Sequence, residues 1–294
     1  MARIAGFDPA WQTQIARYQA AANNYQGATY SLDKALSGQP DFLPAQVLLT
    51  ELDISSGELA KAEQRAKAIL NRGADKAVGY RLLGEVAMAR KKYPEAIERF
   101  RAALASEPST DGALLVFRAY AQSGNVKAGN EFLESWVRAH PVDRVARRAL
   151  AEGYLRAGNL GEARARYETV LKEEGDDALL LNNLANILLL QKDPKAIAYA
   201  ERAFQLAPTN ASLQDTLGWA LVQAGEIEQG LRHLRDARLR QPQDPEIRYH
   251  LAVALARAGR ATEARQELTE ALRGGNDFAG AGEARRLLAE LGSR

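Results

Sequence analysis

Few residues in this chain of 294 could carry metal or acid–base chemistry. Cysteine is absent and there are 3 histidines, which excludes disulfide frameworks, cysteine-based zinc sites and cysteine nucleophiles. His140, His233 and His250 lack partners at metal-ligand spacing, and the sequence contains no glycine-rich phosphate loop, GxSxG or HExxH motif. We therefore predict no catalytic residue, no metal and no cofactor, and we assign the histidines structural roles.

The residue types best suited to binding are amides and arginines. Asn182 and Asn186 are four residues apart, which places them on one helix face, and each amide can donate to and accept from a peptide backbone. The alternative is that they only solvate that face. Arg118 and Arg148 could hold a carboxylate or phosphate in bidentate fashion, or could join Glu152 in a ladder of salt bridges.

Aromatic residues offer a second kind of contact. Trp219 follows Gly218 in the string LGWAL, and with Tyr249 it could anchor a partner. It could equally pack over the neighbouring helix. Trp11 and Trp136 are predicted to be packing residues.

Charge and hydropathy exclude several classes of protein. Lys and Arg number 39 against 37 Asp and Glu, a net charge of +2, which does not favour nucleic-acid binding. No apolar run approaches the roughly 18 residues that span a bilayer, and residues 1–8 lack the apolar core of a secretory signal. Arg232, Arg235 and Arg238 are spaced as one stripe on an outer helix face, either solvated or facing an acidic polymer or lipid headgroups.

The elements that position these residues come from a repeat of 33 to 34 residues. Residues 211–244 align with residues 245–278, so that Leu217 matches Leu251 and Gly225 matches Gly259. The spacing predicts two helices in each unit. Gly218 allows the two helices to approach closely, Gly225 ends the first helix and Pro242 ends the second.

These positions match the tetratricopeptide repeat, and the chain resembles that family over eight units. The predicted repeats are 9–42, 43–76, 77–109, 110–143, 144–177, 178–210, 211–244 and 245–278, after a leader at 1–8 and before a capping helix at 279–294. The resemblance implies a single all-α domain, a right-handed superhelix (α-solenoid) of about eight helix-turn-helix repeats.

The resemblance also implies where the chain binds. In the family, the first helices line a groove that holds an extended peptide or a partner's helix, so the chain is expected to be a non-catalytic scaffold. Carrying the groove positions over gives Arg118, Arg148, Glu152, Asn182, Asn186, Asp215, Trp219 and Tyr249. The Lys/Asn/Lys/Arg clamp of chaperone-binding members is not matched.

Residues 181–271 resemble one group more closely. The strings NNLA, KAIAYAERAFQLAP, DTLGWALVQAG and EIRYHLAVALARAG are similar to the C-terminal portion of the tetratricopeptide lipoproteins of the exosortase/PEP-CTERM system in bacterial exopolysaccharide export. This implies a fragment of a longer protein that is periplasmic or outer-membrane-associated.

Two other functions stay open: a cytoplasmic assembly or chaperone-type module, and a scaffold that binds anions or acidic polysaccharide through groove and convex arginines. A homodimer through the end repeats also stays open.

Overall fold

The computed structural model describes residues 8–273 and 278–292, which fold into seventeen α-helices without a β-strand in those ranges. Helices of the first half are α1 (Pro9–Ala21), α2 (Tyr25–Gly38), α3 (Leu43–Ser55), α4 (Leu59–Asn71), α5 (Lys76–Ala89), α6 (Tyr93–Ser106), α7 (Thr110–Gln122), α8 (Val126–Ala139) and α9 (Arg144–Arg156). Those of the second half are α10 (Leu160–Glu174), α11 (Ala178–Leu190), α12 (Ala196–Leu206), α13 (Ala211–Gln223), α14 (Ile227–Arg240), α15 (Pro245–Arg257), α16 (Ala261–Arg273) and α17 (Ala281–Gly292). Most of the predicted leader, and parts of the last repeat and cap, lie outside the described residues.

The chain divides into two compact units, Met1–Ala157 and Gly158–Arg294. Within each unit consecutive helices pack as hairpins, such as α1 with α2 and α5 with α6 in the first, and α13 with α14 and α15 with α16 in the second. The predicted all-α class built from helical hairpins is confirmed. The predicted extent of a single domain stays a prediction.

Most first helices, namely α3, α9, α11, α13 and α15, bury their third, seventh and tenth residues against the hairpin before them. In α15 these are Ile247, Leu251 and Ala254, all 3 % exposed or less. Leu251 belongs to a cluster that includes Leu234 of α14. Such contacts between neighbours in sequence are what stabilise a helical array.

The last helix, α17, closes the second unit. Leu291 is buried, and Leu287 and Leu288 are half-buried against the same apolar cluster. This agrees with the cap predicted from the sequence, because the three leucines share one helix face.

Turn geometry follows the predicted repeat. Gly225 and Gly259 have φ values of 92° and 76°, the left-handed conformation that ends a helix. Lys192, which replaces the usual glycine, has a φ of 56° and therefore adopts the same strained conformation. At Gly218 an added Cβ would lie 2.8 Å from Leu234 Cγ, so the predicted close approach of two helices is present.

The predicted packing role of one tryptophan is wrong. Trp11 is 62 % exposed, because it occupies the third position of α1 and no hairpin precedes α1 among the described residues. Trp136 is half-buried; its ring stacks on His140 at a centroid distance of 3.8 Å, and its Nε1 donates to Asp143 Oδ2 at 2.8 Å.

Asp143 joins three helices of the first unit. Its carboxylate caps α9 by accepting from the Ala146 amide at 3.0 Å, and it accepts from Thr110 Oγ1 and Trp136 Nε1, each at 2.8 Å. Partial burial alone would raise its pKa, but these hydrogen bonds outweigh burial and hold the pKa of Asp143 below its ordinary value.

Relief of backbone strain can be tested in the α5–α6 turn. Lys91 has a φ of 58° where Gly124 of the next hairpin has 81°. A side chain in this region costs roughly 1–2 kcal/mol, partly offset by the greater freedom of glycine in the unfolded chain. We expect Lys91→Gly to raise the free energy of unfolding by about 1 kcal/mol in urea denaturation. The reciprocal control, Gly124→Lys, should lower it; a lower stability for Lys91→Gly would contradict the strain.

The role of the Asp143 charge can be tested by pH. Since the folded-state pKa lies below the unfolded one, ionisation stabilises the fold at neutral pH, and this contribution is lost as the pH falls through the folded-state pKa. Asp143→Asn keeps a capping oxygen without the charge. We expect it to lose about 1 kcal/mol at pH 7, with the difference shrinking below about pH 4. A difference that is equal at acidic and neutral pH would contradict this account.

Candidate functional site

A groove of about 1070 Å³ lies in the second unit, lined by α11, α13, α15 and the start of α17. Five of the eight residues predicted to bind a partner line it: Asn182, Asn186, Asp215, Trp219 and Tyr249. Their placement in one groove is observed, whereas their role in binding stays a prediction.

The helix starts explain why these residues converge. α11, α13 and α15 each follow a capping side chain, Asp177, Asn210 and Asp244, which accepts hydrogen bonds from the first turn. Asn182, Asp215 and Tyr249 each lie five residues after their cap, and Asn186 and Trp219 lie nine after theirs. Positions five and nine share a helix face, so the repeat itself aligns the lining.

The centre of the groove is a contact between Asp215, His250 and Trp219. The rings of His250 and Trp219 stack with a centroid distance of 4.3 Å and an interplanar angle of 14°. His250 Nδ1 lies 2.9 Å and 3.1 Å from the two carboxylate oxygens of Asp215. An ionised carboxylate only accepts, so Nδ1 is the donor in this contact.

This contact is well shielded from solvent. The side chains of Asp215 and His250 are 10 % and 12 % exposed, while Trp219 is half-buried at the groove surface. The carboxylate thus fixes the imidazole, and the imidazole supports one face of the indole. The result is an aromatic surface whose orientation is set before any partner arrives.

Tyr249 extends the aromatic surface toward the C-terminal end. Its ring centroid lies 6.3 Å from that of Trp219 and 6.2 Å from that of Phe278. A Cβ at Gly280 would lie 2.5 Å from Tyr249 Cδ1, so only glycine allows this approach. Burial, together with the nearby negative charge of Glu283, raises the pKa of the Tyr249 hydroxyl.

The two asparagines lie on the opposite side of the lining, on α11. Both are half-buried, and the Oδ1 atom of Asn182 is buried without a hydrogen-bond partner. A buried amide oxygen without a partner costs free energy in the folded state. Asn183 instead donates to the Tyr167 hydroxyl of α10 at 3.1 Å.

Acidic side chains dominate the charged lining. The acids are Asp193, Asp215, Asp244, Glu246 and Glu283, while the basic residues of the described lining are Lys192 and His250. The acidity is local, because the whole chain has a net charge of +2.

Several of these acids have partners outside the lining. Asp193 pairs with Arg164 at 3.0 Å and Glu283 pairs with Arg286 at 2.7 Å. Glu246 is exposed in the first turn of α15. The groove therefore keeps a negative bias that exposed ion pairs reduce but do not remove.

The other three candidates lie in the first unit. Arg118 is exposed on α7, Arg148 is half-buried on α9, and Glu152 forms an exposed ion pair with Arg156 at 3.3 Å. The same unit has a ladder in which Arg81 bonds both Glu51 and Glu85. Burial raises the pKa of Glu85 despite the neighbouring Arg81 guanidinium.

The arginines predicted on the outer face of α14 differ in their ion pairing. Arg238 bonds the buried Glu267 carboxylate from Nη2 at 2.7 Å, and Arg248 also bonds Glu267. Arg238 therefore holds α14 against α16, whereas Arg232 is exposed. A role of the predicted stripe in binding stays a prediction.

Sequence reasoning missed the pairing of His250 with Asp215. The two residues are 35 positions apart, one repeat plus one residue, so they occupy consecutive positions on adjacent first helices. A search for charge partners one repeat plus one residue apart would have found them. Scans for short metal or catalytic motifs cannot find this pair, because its two residues are far apart in sequence.

No group of three or more His, Asp or Glu side chains able to hold a metal ion occurs in the described ranges. The helices described there are also too short or too polar to cross a membrane.

Comparisons with known proteins identify the repeat. One profile described as tetratricopeptide repeat matches residues 81–144, 148–211 and 216–281, more than half of the chain, and a second profile of the same description matches residues 19–85. No curated protein matches the chain. The closer resemblance of residues 181–271 to the exosortase-system lipoproteins stays a prediction.

Solved structures agree on the fold. A chain of the APC/C hetero-tetramer Cut9-Hcn1 matches with a TM-score of 0.60 and 18 % identity over 94 % of this chain, which spans only 54 % of that chain's length. A tetratricopeptide repeat protein from Parabacteroides merdae matches with a TM-score of 0.55 and 15 % identity over 84 % of this chain and 98 % of its own. MamA from Desulfovibrio magneticus RS-1 matches with a TM-score of 0.50 and 19 % identity, over 54 % of this chain and 91 % of that chain. At these identities the likeness shows the fold alone, and it confirms the predicted α-solenoid class.

The central contact can be tested by truncating its acid. Asp215→Ala leaves the shielded Nδ1–H of His250 without an acceptor, and we expect a loss of about 1–3 kcal/mol in the free energy of unfolding. Asp215→Asn keeps an amide oxygen that can accept, so it should lose less. Urea denaturation measures both. Equal stability of Asp215→Ala and wild type would show that the pair does not hold the ring.

Proposed function

The chain belongs to the tetratricopeptide repeat family, and from this premise we propose that the groove of its second unit binds an extended peptide segment of a partner protein. Members of the family typically act as non-catalytic scaffolds for protein–protein interaction. The single observation that carries the proposal is the convergence of two asparagines and an aromatic pair in one groove of about 1070 Å³.

The asparagines support contact with a backbone. Asn182 and Asn186 both line the groove, and each side-chain amide can donate to a carbonyl and accept from an N–H group. The groove volume of about 1070 Å³ lies just above the roughly 300–1,000 Å³ of small-molecule sites, which favours a chain segment over a small ligand.

The charges favour a basic segment. Lysine or arginine side chains would find carboxylates such as Glu246 and the faces of Trp219 and Tyr249, both of which attract cations. An acidic polysaccharide in this groove would meet like charge instead. We therefore assign the groove to a peptide with basic and apolar residues rather than to an anion.

Removal of the two amides is the direct test. We expect Asn182→Ala with Asn186→Ala to lower the affinity for peptides by at least about tenfold, the effect of losing two hydrogen bonds of about 1 kcal/mol each. The probes are arrayed random peptides, selected with the wild-type chain and titrated by fluorescence polarisation. Circular dichroism should show unchanged helix content.

A matched control removes an amide elsewhere. Asn71 is exposed at the end of α4, outside the groove, and Asn71→Ala should bind as wild type does. Unchanged affinity in the Asn182/Asn186 double variant would remove these residues from the site. Selection of acidic rather than basic peptides would overturn the proposed charge preference.

We also propose an envelope role for the scaffold, in exopolysaccharide or protein export, supported by the resemblance of residues 181–271 to the exosortase-system lipoproteins. The alternative is a cytoplasmic assembly or chaperone-type module. Fractionation of the source cells, probed with an antibody against the chain, distinguishes them: recovery with the envelope supports export, and recovery with the cytoplasm overturns it.

A further inference from the structure

The groove of the second unit has two long edges, and they come from opposite ends of the same helices. Each hairpin reverses the chain, and α11 contacts α13 as α13 contacts α15, so these three first helices run in the same direction. Their N-terminal ends therefore lie along one edge of the groove, and their C-terminal ends lie along the other. The lining residues at the two edges differ in chemistry.

The edge at the N-terminal ends is acidic. It consists of Ser212, Asp244, Glu246 and Glu283, and we call it the N-edge. Asp244 caps α15, Glu246 is the second residue of α15, and Glu283 lies in the first turn of α17. Because Glu283 pairs with Arg286 at 2.7 Å, the negative charge open to a ligand comes mainly from Asp244 and the exposed Glu246.

The edge at the C-terminal ends, with the turns that follow them, is mainly apolar. It consists of Leu189, Leu190, Lys192, Asp193, Ile197 and Ala224, and we call it the C-edge. Leu190 is the last residue of α11 and is 66 % exposed. Lys192 and Asp193 have opposite charges, and Asp193 also pairs with Arg164 at 3.0 Å. The C-edge thus offers apolar contact without a net negative charge.

The floor between the edges determines how a bound chain turns its side chains. Asn182 and Asn186 are the fifth and ninth of the thirteen residues of α11, so they lie between the two edges. On the proposed function, on which this inference rests, they bond the backbone of an extended peptide. In an extended chain the backbone N–H and C=O groups point at right angles to the side chains. A backbone that bonds the floor therefore turns its side chains toward the edges.

Successive side chains of an extended chain point in opposite directions. Every second residue then meets the N-edge, and the residues between them meet the C-edge. The second and thirteenth residues of a helix are about 16 Å apart along its axis, a width that an extended backbone with a long side chain on each side can fill. Tyr249 lies three positions after Glu246 on α15, so its ring shares that helix face and adds an attraction for cations near the N-edge.

We propose that the groove selects peptides in which basic and apolar residues alternate, with Glu246 selecting the basic positions and Leu190 the apolar ones. A peptide with consecutive basic residues fits less well, because half of them face the C-edge, where Lys192 repels them and leucine offers no counter-charge. The order of the residues, and not only their types, therefore decides the affinity.

Two short synthetic peptides of equal composition test the order. One alternates lysine with valine, and the other has all its lysines in one block; valine is chosen because it favours the extended state. We expect the block peptide to bind with a Kd at least about fivefold higher in fluorescence polarisation. Equal Kd values would overturn the alternation and leave the proposed function standing. If neither these peptides nor random arrays yield a bound peptide, both fail.

Variants of the two edges separate their roles. Glu246→Lys should raise the Kd of the alternating peptide by about fivefold, and it should remove the enrichment of basic residues in peptides selected from random arrays without removing that of apolar residues. Leu190→Glu makes the C-edge acidic, so it should bring the Kd of the block peptide closer to that of the alternating one. Circular dichroism checks that both variants keep the helix content of wild type.

Matched controls make the same changes outside the groove lining. Glu228 is exposed and is the second residue of α14, as Glu246 is of α15, and Leu239 is 70 % exposed on α14. Glu228→Lys and Leu239→Glu should leave both Kd values unchanged. An edge variant that binds both peptides as the wild-type chain does would show that its edge does not select side chains, and would overturn the proposal.

Discussion

The structure depends on one recurring constraint: most first helices, namely α3, α9, α11, α13 and α15, bury their third, seventh and tenth residues against the hairpin before them. Leu49 and Leu251 occupy the seventh position in helices of different units and are 2 % and 3 % exposed. Because a helix has 3.6 residues per turn, fixing these positions inward also fixes which positions remain outside. The groove lining uses the fifth and ninth positions of the first helices, which are not among these packed positions.

The functional consequence is that the lining is positioned by the core rather than by loops. Asp215 and Trp219 lie on the helix whose Leu213 and Leu217 are buried in the stack. The contact from Asp215 through His250 to Trp219 then links adjacent repeats across the groove. Rigid side chains lose little freedom on binding, so the arrangement suits the capture of a flexible segment.

The sequence was sufficient for features that one repeat decides alone. The left-handed turn at Gly225 and the close approach at Gly218 follow from positions within a hairpin. Five candidate residues were correctly predicted to lie together for the same reason, since the repeat period assigns each of them to one helix face.

Features that depend on neighbouring repeats could not be predicted in this way. Trp11 was expected to be packed, but whether its position is covered depends on a preceding hairpin. The bond of His250 to Asp215 and that of Arg238 to Glu267 join different hairpins, so their chemistry depends on which side chains meet across the repeat. The sequence of one repeat includes only one residue of each of these pairs, so it cannot show that the pair forms.

The central claim is that a basic, extended peptide lies in the groove of the second unit. Photo-crosslinking measures this most directly: a selected peptide that carries one photoreactive side chain is irradiated with the wild-type chain, and the joined residues are mapped by mass spectrometry. The account predicts crosslinks on α11, α13 and α15, near Asn186 and Trp219, that excess unlabelled peptide abolishes. Competable crosslinks confined to the first unit would contradict it.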